Sequence, residues 1–293
     1  MKCKITGNKI NSFMTFGKMP IANGFVNKEN FNKEYFFEME VGFNEELSLF
    51  QLNDHPKPEK MFNENYPFFT GSSEFMKDHF KEYADFVKKN YLNSNSKIVE
   101  IGSNDGTFLK NFTDNKKNII GFEPSNNVAE IAKNNHIPII NDFFNTENAS
   151  KLSEFLGNTD LVCASNVICH VPDLNNLVEA IDLILNKSGT FIFEEPYLGS
   201  MFNKVSYDQI YDEHIFIFSA TSIKNIFARY NFDLIDAIPQ TTHGGSMRYI
   251  IKRKNVTTQT KNLINILNNE KKIKLDKIDS CLDFKKNCLI SKE

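Results

Sequence analysis

Between residues 97 and 253 short apolar runs alternate with amphipathic stretches. KIVEIGS (97–103), NIIGFEP (118–124), IPIINDFF (137–144), DLVCASNV (160–167) and GTFIFEEPY (189–197) each hold a short apolar run and predict buried strands. GTFLKNF (106–112), NNVAEIAKNN (126–135) and ASKLSEFLG (149–157, closed by Gly157) predict helices. LNNLVEAIDLILN (174–186) does so most clearly, with apolar residues at 174, 177, 178, 181, 184 and 185. SATSIKNIFARY (219–230) predicts a helix capped by Ser219 or Thr221, and FDLIDAI (232–238) and SMRYIIKR (246–253) predict two last strands. Strands alternating with helices imply a mostly parallel sheet covered on both faces. Only a loop joins the last two strands, which predicts an antiparallel pair at one edge.

Residues 1–70 differ: they are aromatic-rich and turn-rich, without a long periodic helix. SSEFMKDHFKEYADFVKKNY (72–91) predicts one helix leading into the sheet. The Lys-rich tail, 256–293, has helical spacing in LINILNN and KIDSCLDFKKNCLI and predicts one or two peripheral helices. The expected domains are a lobe over 1–70, a sheet domain over 71–255 and a helical tail over 256–293.

Composition narrows the classes. Hydrophobic residues make up 41% and charged residues 24%, ordinary for a globular protein. A net charge of -3 predicts neither a nucleic-acid groove nor a polybasic membrane patch. No apolar run is long enough for a transmembrane helix, and MKCKITGNKINS lacks the apolar core of a signal peptide. The five cysteines at 3, 163, 169, 281 and 288 form no C-x-x-C pair, which points to free thiols in a reducing cytoplasm.

EIGSNDGTFLK (100–110) follows the first buried strand and opens a helix. Gly102 and Gly106 permit a tight turn and close approach of a ligand. This is not a dinucleotide or P-loop fingerprint. Glu100, Asn104 and Asp105 suit a cationic ligand better than a pyrophosphate. Glu123 and Pro124, in GFEPS (121–125), end the second strand, where an acid can accept both hydroxyls of a ribose. Asp142 and Phe143 would lie near an adenine, and Asn166 near a sulfonium. Together these residues predict an S-adenosylmethionine site on a Rossmann-like class I methyltransferase sheet with a small irregular N-terminal lobe.

These motifs, with MPIANGFV (19–26), FQL (50–52), YPFFTGSS (66–73), ICHVPDL, YDQIYDEHIFIFS (207–219) and THGGSMRYII (242–251), resemble the S-adenosylmethionine-dependent C-methyltransferases of deoxysugar biosynthesis. The resemblance covers about residues 1–255. It implies a zinc-binding N-terminal lobe, a methyltransferase domain and a further C-terminal lobe, with Tyr66 on the cofactor side. Two departures stand out. Where the family carries two C-x-x-C pairs, this chain has Cys3 and Thr6, then Asn44 and Leu47. The expectation is a degenerate lobe without zinc, shaped by aromatic packing. The chain also stops near the start of the family's C-terminal lobe, which bears on a nucleotide-linked sugar as substrate.

Methylating carbon requires removal of a proton alpha to a carbonyl and a donor for the enolate oxygen. The resemblance implies His214 or Tyr211 as base and His170 as the group on the enolate. Glu213 would orient His214, and His243, Gly244 and Gly245 would line the substrate pocket. Asp212 caps a turn or marks a different substrate. No ligand spacing fixes a metal on His170, Asp212 and His214, and none is expected. Cys163 and Cys169 are read as core packing. The expected partner is a small molecule, a sugar nucleotide or related compound, with no nucleic acid and no membrane. A homo-oligomer or a partner chain stays open. Two alternatives accompany this reading: O-methylation of a sugar or other small metabolite, and a non-catalytic S-adenosylmethionine-binding subunit needing a partner.

Overall fold

The computed structural model describes the backbone of residues 1–293 and the side chains of all but residues 113–117. The elements, in order, begin with β1 (Ser12–Pro20), β2 (Phe36–Asn44), β3 (Leu49–Leu52), α1 (Pro58–Met61) and α2 (Glu74–Tyr91). Then come β4 (Ile98–Ile101), β5 (Ile119–Phe122), α3 (Asn126–Asn134), β6 (Ile139–Ile140), α4 (Thr146–Leu156), β7 (Thr159–Ser165) and α5 (Leu174–Ile184). The rest are β8 (Leu185–Pro196), α6 (Leu198–Lys204), β9 (Phe216–Ile217), α7 (Ala220–Ala228), β10 (Phe232–Gln240), β11 (Ser246–Arg253), α8 (Lys261–Lys272) and α9 (Ile278–Lys292). A seven-stranded sheet has the order β10-β11-β8-β7-β4-β5-β6, and a four-stranded sheet the order β1-β2-β3-β9. Contacts divide the chain into two compact units: residues 1–61, 168–174 and 194–293, and residues 62–167 and 175–193.

The second unit is the α/β part. β4 pairs in parallel with β5 and β7, and β5 with β6. All four residues of β4 are buried, as the apolar run predicts for a strand covered on both faces. Ser73 caps α2 by accepting from the Met76 amide, and Phe80, Tyr83, Ala84 and Val87 form its buried stripe. The Tyr83 hydroxyl donates to the Ile192 carbonyl at 3.0 Å. Asn145 caps α4, and Gly157 at φ 70° ends it. The strand expected over 137–144 shrinks to two residues. The Asp142 amide donates back to the Ile140 carbonyl at 3.0 Å, which turns the chain out of the sheet. After the first glycine loop the structure has a 3-10 helix, Leu109–Asn118, where a helix over 106–112 was expected.

The first unit corrects two expectations. The N-terminal lobe, expected as extended segments and turns, carries an antiparallel sheet with register shifts at Ser12/Met14 and Thr15/Gly17. Its fourth strand comes from the apolar run after residue 214: Phe50 pairs with Ile217 and Gln51 with Phe216. The tail is not peripheral. Leu275, Cys281, Phe284 and Cys288 join Phe13, Phe50, Leu198, Met201 and Ile217 in one apolar core. Each such side chain contributes about 1.5–3 kcal/mol by leaving water. Phe202 stacks on Phe284 with ring centroids 4.5 Å apart. The β10–β11 pair is antiparallel, as its short connection predicts. At α7, Ser219 and Ser222 bond reciprocally to each other's amides, so Ser219 rather than Thr221 is the cap. Beneath the hairpin, Arg248 makes a buried ion pair with Glu194 at 2.5 Å. Among the described residues no helix is long and apolar enough to cross a membrane.

Candidate functional site

In the α/β unit the loop after β4 holds the residues expected to meet a cofactor. Gly102 has φ +66°, and a Cβ there would lie 2.3 Å from a Val167 methyl, so only glycine fits. Gly106, at φ +78°, would press a Cβ on Ile137 and Ala132 at 3.1–3.2 Å. Glu100 is 4% exposed, and its Oε2 has no hydrogen-bond partner among the described residues. Burial, then the charges of Asp105 and Glu123, hold its carboxyl well above the usual range. Burial also raises Glu123, against the Ser125 and Asn104 amides, which favour its ionised form. Its two oxygens accept from those amides at 2.7 and 3.0 Å. Glu100, Asp105 and Glu123, all three buried, form a field that favours a cation.

Asn104 and Asp105 also have a task the sequence did not reveal. Asn104 Oδ1 accepts from the Thr70 amide at 2.9 Å, and its Nδ2 donates to the Phe68 carbonyl at 3.1 Å. Asp105 Oδ2 accepts from the Gly71 amide at 2.7 Å. Asn127 Nδ2 donates to the carbonyl of Tyr66 at 2.8 Å. The YPFFTGSS segment is thus strapped to the cofactor loop and to α3. Asn141, also unforeseen, ties the end of β5 by donating to the carbonyls of Glu123 and Pro124 at 2.8 and 3.1 Å. Asp142 is exposed, and its Oδ1 accepts from the Phe143 amide at 2.7 Å. Asn166, at φ +55°, has a buried Oδ1 without a partner. The orphaned oxygens of Glu100 and Asn166, with the glycine-only approach at Gly102, fit a polar cationic ligand such as S-adenosylmethionine.

The other unit brings the expected proton-transfer residues together. His170 and His214 stack with centroids 5.4 Å apart and planes 24° apart. His214 Nδ1 lies 2.7 Å from the Gln209 carbonyl, which can only accept, so Nδ1 carries the proton. Its Nε2 therefore accepts from the Tyr211 hydroxyl at 3.1 Å. Burial lowers His214 to about 4, with His243 adding to the effect and the Gln209 bond opposing it. Burial, then His214 and His243, hold His170 well below the usual imidazole range. Both rings are neutral at pH 7.

Glu213, Asp212 and His243 have surroundings that the sequence did not disclose. The Gln209 carbonyl fixes the His214 ring, and Glu213 Oε1 accepts from Asn23 Nδ2 at 2.6 Å. Asp212 Oδ1 accepts from the Ala22 amide at 2.9 Å, so both acids clamp the MPIANGFV segment. His243 sits in left-handed backbone at φ 50°, and its electrostatic influence on His170 and His214 opposes their protonation. Of its neighbours, Gly245 permits close approach: a Cβ there would lie 2.5 Å from Ser200 Oγ. Around Gly244 nothing lies within 4 Å of such an atom. Cys169, read as packing, is buried but places its Sγ within 4.8 Å of ligand nitrogens of His170 and His214. Asp212 is not part of that group.

Residues 75–237 match a family model described as "Methyltransferase domain", and residues 3–62 match one described as "Putative zinc binding domain". C-methyltransferase NovU of Streptomyces niveus is 25% identical over 236 residues, which cover 80% of this chain and 56% of NovU. The chain thus spans about half the length of this curated relative. A solved SAM-dependent methyltransferase from Anabaena variabilis is 17% identical, with a TM-score of 0.43 over 61% of this chain and 95% of the other. Magnesium protoporphyrin IX methyltransferase from Synechocystis PCC 6803 is 11% identical, with a TM-score of 0.45 over 61% and 79%.

Residues 3–62 are thus similar to a domain described as putatively zinc-binding, which leaves the expected absence of zinc without support from the comparisons. The side chains at the four expected ligand positions are a separate matter. Cys3 Sγ accepts from the Thr6 amide at 3.5 Å, and Asn44 Oδ1 accepts from the Leu47 amide at 2.9 Å. Leu47 is buried. One thiol, one hydroxyl, one amide and one aliphatic chain do not make a structural zinc ligand set.

Proposed function

The chain belongs to the methyltransferase-domain family, and on that premise we propose that it is an S-adenosylmethionine-dependent C-methyltransferase acting alpha to a carbonyl. The substrate class is a nucleotide-linked keto-deoxysugar or a similar carbonyl compound. The distant likeness to NovU supports the carbon-directed part of this reading. The observation that carries it is the Tyr211–His214 pair beside His170. A hydroxyl acceptor needs one base; an enolate needs a base and an oxyanion donor, and this cluster contains both.

Bound S-adenosylmethionine supplies an electrophilic methyl group on its sulfonium. The chain's part is proton and charge handling. The alpha proton passes to the Tyr211 oxygen while the Tyr211 proton passes to His214 Nε2. The Gln209 carbonyl holds the opposite nitrogen of that ring through the transfer. His170, neutral, donates its N–H to the enolate oxygen. Burial makes an isolated imidazolium costly, so the cation on His214 and the anion on the substrate form together.

Two measurements test this reading. A keto-sugar nucleotide incubated in deuterated water without methyl donor should exchange its alpha proton, and position-resolved NMR of the full reaction should place the methyl on carbon. A methyl ether would establish the O-methyltransferase alternative instead. The second concerns the cofactor. Glu100 and Glu123 hold their protons above the usual range because they are buried, and a cation favours their ionised forms. Cofactor affinity should therefore rise with pH through those raised values, by at most about tenfold per unit per proton released. For the empty fold the sign is reversed: what the protonated acids contribute is complete below their unfolded pKa and is lost as pH rises. Calorimetry from about pH 5 to about pH 8 should show proton release on binding, and Glu100→Gln should flatten the dependence. A flat wild-type profile would refute the assignment.

A further inference from the structure

Cys169, His170 and His214 come from two chain segments, a 3-10 turn at Ile168–His170 and the turn before β9. Their ligand atoms all lie within 4.8 Å of one another. Nothing in the proton-transfer scheme uses Cys169. We propose that these three side chains form a binding site for a thiophilic divalent cation of the zinc type, distinct from the N-terminal lobe, and that its occupation blocks proton transfer at His214.

The donor set is what such ions select: one thiolate and two imidazoles, with one tetrahedral position left open. Ligand atoms around such an ion are about 3.3–3.7 Å apart, so the cluster must contract by about 1 Å. The near-parallel rings allow that without crossing each other. The outer contacts suit a ligand role too. The Gln209 carbonyl fixes the proton on His214 Nδ1, which reserves the Nε2 lone pair for the ion; Tyr211 now donates to that lone pair and would yield it. Glu195 lies against Cys169, and its Oε1 accepts from the Ile168 amide at 2.6 Å, fixing the segment that carries two of the ligands. Glu195 and Glu213 both act on Cys169 electrostatically, so acids stand ready to balance a divalent charge. Binding breaks the Cys169 S–H bond, forms a sulfur–metal bond and releases one proton to solvent, with no change of oxidation state.

The site does not depend on the methyl-transfer reading; the inhibition does. The test keeps them apart. Full-length protein, stripped with a chelator, is titrated with Co2+. One equivalent should produce visible tetrahedral d–d bands and a near-ultraviolet thiolate-to-cobalt band, both bleached by Zn2+. Cys169→Ser should abolish the thiolate band, and Cys3→Ser should leave it intact. His170→Gln should weaken Co2+ binding at least tenfold, which secures the test if the serine variant folds poorly by circular dichroism. In turnover, Zn2+ should inhibit the wild type and inhibit Cys169→Ser much less. No thiolate band, or a band that survives Cys169→Ser or disappears in Cys3→Ser, overturns the site. A cobalt spectrum as expected in a protein without methyl transfer would overturn the functional reading alone.

Discussion

Replacing His214 by Gln should lower kcat about a thousandfold while leaving the affinity for S-adenosylhomocysteine within twofold of wild type. General acid–base groups contribute roughly 10²–10⁴ in rate, and this ring is the proton sink in the proposed scheme. The geometry adds a sharper expectation. Tyr211 O–H donates to His214 Nε2, so the two side chains transfer a proton as one unit. Tyr211→Phe should therefore cost about as much as His214→Gln, and the double variant little more than either alone. Alpha-proton exchange in deuterated water should be lost in all three. Single-variant losses that multiply in the double variant would mean independent roles and would remove the relay. Normal exchange in His214→Gln would remove the base.

What the sequence disclosed depended on how local the determinants are. EIGSNDG and GFEPS could be placed because a buried strand, a glycine turn and an acid lie within a few residues, and chain geometry then dictates where they go. The helices with caps in sequence, α2 at Ser73 and α4 at Asn145, are explained by side chain–amide bonds over three residues. Long-range pairings left no such mark. In the sequence IFIF (215–218) is only a short apolar run, yet Phe216 and Ile217 complete a sheet with residues more than 160 positions earlier. Period alone cannot tell a short buried strand from packing. Glu213 also accepts from Asn23, 190 positions away, a contact that no local pattern announces. Cys169 read as filler because a buried thiol usually is. Only the fold brings His214 next to it.

The tail illustrates the same limit and carries the largest stability prediction. Glu270, in an Asn- and Lys-rich stretch that looks solvent-facing, is fully buried. Its Oε1 accepts from the Tyr197 hydroxyl at 2.9 Å and from the Ala220 amide at 2.7 Å. Its Oε2 accepts from the amide and hydroxyl of Thr221 at 2.8 and 2.6 Å. Ala220 and Thr221 open α7, so a carboxylate from α8 satisfies two first-turn amides that the helix cannot bond itself, at the end where negative charge is favoured. Glu270→Ala removes all four bonds and leaves the phenol and the amides in a dry interior. Each orphaned group costs about 1–3 kcal/mol; allowing for relaxation, the loss should be about 3–5 kcal/mol. For a chain of this size that is a fall of about 5–8 °C in thermal midpoint. Glu270→Gln keeps one carbonyl acceptor and should lose about half as much. The two variants can be ranked by thermal or urea unfolding of the full chain. If Glu270→Ala melts within 2 °C of wild type, the tail does not hold α7, and its burial there is incidental to stability.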